Sequence, residues 1–100
     1  MERPEHLHEL REYGRMRWLD RAQGWRAEPN DVVDALAAEG FQECKNEIAR
    51  VPRGGGVAGG VWQGLNHHTG AIASTIWTRD PTTNEPIVFI TINGHPLQGV

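Results

Sequence analysis

The sequence has one cysteine, Cys44, and one lysine, Lys45. A single thiol excludes an intrachain disulfide and a cysteine-based zinc cage, and it fits a reducing compartment. No apolar run approaches the ~18 residues that a membrane-spanning helix needs, so no membrane partner is expected. The opening Met-Glu-Arg-Pro-Glu-His lacks the basic-then-apolar layout of a secretory signal, and the expected location is the cytoplasm. Positive charge is also scarce. Ten Lys and Arg stand against thirteen Asp and Glu, a net charge of −3. That argues against general nucleic-acid binding, whose affinity rests on a basic footprint. Internal repeats and low-complexity tails are missing as well.

What is present is the composition of an ordinary globular chain. The 100 residues are 38% hydrophobic and 23% charged, which reads as one domain over 1–100 with a core that needs no staples. The most apolar and most β-branched stretch is Ile87-Val88-Phe89-Ile90-Thr91-Ile92. It follows Pro86 and ends at Asn93-Gly94. Both of its parities are apolar, the pattern of a central strand covered on two faces.

Upstream, Leu7, Leu10, Gly14, Trp18 and Trp25 recur at helical spacing. The spacing predicts a helix from about Pro4 to Trp25 with Glu5, Glu9, Glu12 and Asp20 on its opposite face. A second helix is predicted from about Asp31 to Glu39, capped by Asn30 or Asp31. Its apolar face is Val33, Leu36 and Ala37, and Gly40 serves as its left-handed terminator. Residues 41–51 are highly charged and alternate poorly, so an edge strand and a third helix both stand. Residues 52–60 form a glycine-rich loop without phosphate-loop spacing. Val61–Leu65 and Ala71–Thr78 are predicted as a hairpin closed by Asn66-His67-His68-Thr69-Gly70, with Gly70 left-handed. A polar loop over 79–86 leads into the central strand, and 95–100 returns as a brief edge strand. The expected fold is α+β: two N-terminal helices packed on one face of an antiparallel meander of about three to five strands. The expected core comprises Leu7, Leu10, Trp18, Leu36, Ile72, Ile76, Val88, Ile90 and Ile92.

The residues that could carry chemistry are few. His67 and His68 adjoin on a hairpin tip and could share a metal, but zinc wants three or four ligands and spacing supplies no third. They read first as solvated turn residues that make a mildly pH-sensitive surface. His6 and His8 do not share a helix face. Trp62 and Trp77 fall on neighbouring strands and read equally as a structural cross-strand pair or as aromatics on a bare sheet face. Glu28, Asp31, Asp34, Glu39, Glu43 and Glu47 have only Lys45 as a counterweight. That segment reads either as solvated faces or as an acidic surface for a basic partner. Cys44 and Ser74 lack any nucleophile signature.

Glu47, Arg50, Arg79, His68 and His95 are the right types for acid–base cleavage with phosphate stabilisation. Helices followed by an antiparallel sheet presenting such residues resembles the layout of small metal-independent ribonucleases. That resemblance implies a ribonuclease-like enzyme and rests on layout alone. The leading expectation is instead a small non-catalytic interaction module without cofactor or metal. It would act as an inhibitor, an immunity-type protein or a mobile-element accessory factor. Its expected protein-binding set is Trp62, Trp77, His67, His68, Arg79, Asp80, Asp31 and Asp34. The third expectation is a homodimer that buries its bare sheet face against itself.

Overall fold

The computed structural model describes residues 16–50 and 56–99. Its centre is the apolar run near the C-terminus, now strand β6 (Pro86–Ile92). The other elements are β1 (Arg17–Leu19), β2 (Gly24–Arg26), helix α1 (Pro29–Ala38), β3 (Phe41–Arg50), β4 (Val57–Asn66), β5 (Ile72–Arg79) and β7 (His95–Pro96). All strands join one antiparallel sheet in the order β1-β2-β6-β5-β4-β3, with β7 also on β6. β5 takes one edge of β6. β2 and β7 share the other, β2 beside Ile87 and Val88 and β7 beside Thr91 and Ile92. An apolar run with both parities hydrophobic thus lies inside the sheet.

This corrects the expected architecture. The described residues contain one helix, not two, and seven strands, not three to five. The stretch read as the end of a long first helix is the β1–β2 hairpin. The remainder of that expected helix, with Leu7 and Leu10, lies outside the described residues. Trp18 and Trp25, seven apart in sequence, are directly opposite across the hairpin. Their rings meet edge to face with centroids 5.4 Å apart. The connecting turn is closed by the Ala22 N–H donating to Leu19 O at 3.1 Å and by Gln23 at φ +54°. The Gln23 Nε2 donates to Asp20 O at 2.7 Å.

Helix α1 starts two residues earlier than expected. Pro29 opens it, Asp31 stands in its first turn, and Glu28 precedes it in extended conformation. Its buried residues are Pro29, Val32, Ala35 and Leu36; of the expected face, Leu36 is buried, Val33 packs against the core only in part, and Ala37 is exposed. The predicted ending holds. Gly40 has φ +101°, its N–H donates to Ala37 O at 3.0 Å, and Phe41 is buried. Residues 41–50 are strand at a sheet edge, which decides between the edge strand and the third helix that the sequence left open. Asn93 and Gly94 both have positive φ, the backbone of a tight hairpin turn between β6 and β7.

The core lies between α1 and one sheet face. It holds Trp25, Trp62 and Trp77 with Val32, Leu36, Val57, Val88, Ile90, Leu97, Phe41 and Met16. Large rings on one face require small neighbours. A Cβ added at Gly64 would stand 2.6 Å from Trp62 Cη2 and 3.3 Å from Gln42 O. The Gly64→Ala substitution is therefore expected to destabilise by about 1–3 kcal/mol, the range for an overpacked core. Urea unfolding checks this: the midpoint should fall with the slope unchanged.

Candidate functional site

Strand alternation divides β5 into two sets. Ala73, Thr75 and Trp77 are buried towards the helix, and Ile72, Ser74, Ile76 and Thr78 point the other way. The register extends this second face across the sheet. Val61, Ile76 and Phe89 form one row over β4, β5 and β6, and Leu65 pairs with Ile72 in another. Ile72 and Ile76 are 46% and 53% exposed, and Val61, Leu65 and Phe89 are half-buried. Branched aliphatic side chains on an open sheet face, Ile76 within it and Ile72 at its β4–β5 turn end, form the most distinctive surface among the described residues.

Charge borders this surface. Glu47 lies opposite Val61 and Lys45 opposite Gln63, with Lys45 Nζ 3.9 Å from Glu47 Oε1. On the far side Arg26 lies opposite Ile87, with its Nε 3.0 Å from Glu85 Oε2. The exposed Lys45–Glu47 pair adds little stability, and the Arg26–Glu85 pair is half-buried. Their effect is to balance charge around the apolar rows. The opposite side of the molecule differs. Glu28, Asp31, Asp34 and Glu39 lie on α1 and its ends.

The expected partner-binding residues do not gather on one surface. Trp62 and Trp77 are 1% and 3% exposed, inside the core, where each indole N–H is satisfied. Trp62 Nε1 donates to Glu43 Oε1 at 2.7 Å and Trp77 Nε1 to Thr75 Oγ1 at 3.0 Å. Asp31 and Asp34 stand on α1, across the sheet from Ile72 and Ile76. His67 and His68 are exposed at the β4–β5 tip. Asn66 shapes that tip: its Oδ1 accepts from the His68 and Thr69 N–H groups, and its Nδ2 donates to Glu39 O.

Arg79 and Asp80 are tied up in structure. The Arg79 guanidinium donates to Val57 O, to Asn84 O and to Asn84 Oδ1. Asp80 is 1% exposed. Its Oδ1 accepts from the Thr82 N–H at 2.8 Å, and its Oδ2 accepts from Arg21 Nη2 at 2.6 Å. These contacts fold the 80–85 loop and pin the β1–β2 turn to it. Sequence reasoning anticipated a bare sheet face but placed Ile72 and Ile76 in the core and so put the wrong side chains on that face. The signal that locates them is the size contrast on β5, where Ala73 and Thr75 share the Trp77 parity.

The residues considered for ribonuclease-like cleavage are separated by the same register. Arg50 pairs with Val57 and Arg79 with Pro86 at one end of the sheet. His95 pairs with Ile92, and His68 lies beyond Asn66, at the other end. Among the described residues no group of three or more His, Cys, Asp or Glu is placed to hold a metal ion, and no helix is long and apolar enough to cross a membrane. Comparison with protein-family models, with characterised proteins and with solved structures gave no match.

The Arg21 guanidinium and then the Thr82 amide hold the Asp80 carboxyl at about 2, below its usual 3.8. A carboxyl lowered on folding stabilises the folded state above its unfolded value. That contribution is lost as pH falls through the folded value. Wild-type stability should therefore decline between about pH 4 and about pH 2. Asp80→Asn should be less stable at neutral pH, and its deficit should shrink over that window. Urea midpoints of the two proteins across the window check this. A constant deficit would remove Asp80 from the pH dependence.

Proposed function

We propose that the protein is a non-catalytic protein-interaction module whose working surface is the open sheet face, and that it acts by occluding a partner surface. The observation that supports this reading is the exposure of Ile76 in a row with Val61 and Phe89, and of Ile72 beside Leu65 on the same face. Burying the exposed half of each isoleucine in an interface is worth roughly 1 kcal/mol. The anchors are therefore aliphatic, in place of the buried Trp62 and Trp77. This mode of action suits an inhibitor, an immunity-type protein or a mobile-element accessory factor. The exposed thiol of Cys44 fits a reducing, cytoplasmic setting.

Capture with tagged wild type and tagged Ile76→Glu, side by side from the same lysate, tests the reading. A protein retained by wild type should be depleted at least about tenfold with Ile76→Glu, equivalent to ~1.4 kcal/mol. The near-UV circular dichroism of the buried indoles should stay unchanged. Equal retention by both proteins would discard the open face as the working surface.

A further inference from the structure

We infer that the open sheet face is occupied by a second copy of this chain, stacked face to face about a twofold axis; this rests on reading that face as the working surface.

Three observations point to a like copy. The first is charge. The chain carries −3, so two copies repel unless they approach through a balanced surface. The helix side, with Glu28, Asp31, Asp34 and Glu39, is unsuited. The open face holds Lys45 beside Glu47 and Arg26 beside Glu85, each pair within ion-pair distance. Two copies meet there without like-charge opposition.

The second is self-complementarity. An isologous interface needs a patch that fits itself. Glu47 ends the Val61–Ile76–Phe89 row on the β3 side, and Arg26 and Arg17 stand on the β2 and β1 side of the same face. A twofold axis in the interface, running along β5, lays the β3 side of one copy over the β2 side of the other. Glu47 then faces the arginine flank, and Ile76 meets its own counterpart near the axis. Such stacking is the aligned packing of two sheets about 10 Å apart.

The third is the state of the sheet edge. β3 presents ten residues at the edge of the sheet. Its pairing with β4 slips between Glu43 and Lys45 and again between Ala49 and Arg50. Bulges and exposed charges of this kind oppose edge-to-edge pairing. Association through the face remains open.

Six strands about 4.8 Å apart and on average roughly 23 Å long span on the order of 650 Å² per copy. A standard interface buries about 800 Å² per partner. The dimer is thus expected to be reversible, with a Kd of micromolar order.

Sedimentation velocity on the full chain from about 1 to about 500 µM tests this, the range bracketing that Kd. Wild type should pass from the monomer mass to twice that mass, and Ile76→Glu should stay monomeric throughout. Ile72→Ser is the second variant should Ile76→Glu fail to fold. It should weaken the dimer at least about fivefold, because it strips an aliphatic side chain from the same face. Wild type monomeric at the highest concentration would overturn the inference, and so would a dimer that both variants leave intact. The capture experiment separates the two readings. A monomeric wild type whose captured protein is absent with Ile76→Glu keeps the interaction surface and removes the second copy. A monomeric wild type with no such difference removes both.

Discussion

Each of the three buried indoles asks two things of the fold: empty volume beside its rings and an acceptor for its N–H. Trp25 finds its acceptor in Leu97 O at 2.9 Å, Trp62 in Glu43 Oε1 and Trp77 in Thr75 Oγ1. Thr75, directly opposite Trp62, closes the circuit by donating its hydroxyl to Trp62 O at 3.3 Å. The volume comes from Gly64 beneath the Trp62 ring and from Ala73 opposite Gly64. Among the described residues, helix α1 covers part of this face through Val32, Ala35 and Leu36, and Met16 and Leu97 join the same core. The rest of the sheet then has no choice. Side chains alternate with period two, so placing Ala73, Thr75 and Trp77 inward sends Ile72 and Ile76 outward. The apolar open face is a consequence of how the core was filled.

The sequence made several of these elements legible. The run from Ile87 to Ile92 reads as a central strand, and it pairs on both edges. Gly40 reads as a left-handed helix terminator, and it has that backbone. The polar clusters at 66–70 and 93–94 read as hairpin turns and close hairpins. Residues 16–25 misled because seven residues is an ambiguous interval. It is two helical turns, which put Trp18 and Trp25 on one helix face. It is also the separation of two partners facing each other across a short hairpin. Periodicity cannot separate the two. The Asp20–Gln23 turn decides it, through a left-handed Gln23 and contacts to Asp20 that no pattern count registers.

The candidate site was less legible than the fold. Residue types identified Trp62 and Trp77 as potential anchors but carried no statement of which face the helix would cover. That choice depends on the fit of indoles over Gly64 and Ala73, a property of the adjacent strands β4 and β5. Asp80 is a similar case. An aspartate in a polar loop reads as a surface group. Its role comes from Arg21, 59 positions away in the sequence, and from two amides within its own loop.

The two ways a sheet protein can meet another chain are treated oppositely here. Backbone pairing at an edge is sequence-tolerant, because any strand supplies the same N–H and C=O groups, and it leads to open-ended growth. β3 blocks it with slipped register, with Glu43, Lys45 and Glu47, and with the extra residue at Cys44. Contact through side chains on a face is selective, because it requires a matching shape and closes once that face is covered. The described structure leaves that route open at Ile72 and Ile76 while surrounding it with balanced charge. A core built from large rings on one side of a sheet thus leaves accessible the kind of contact that is specific and finite.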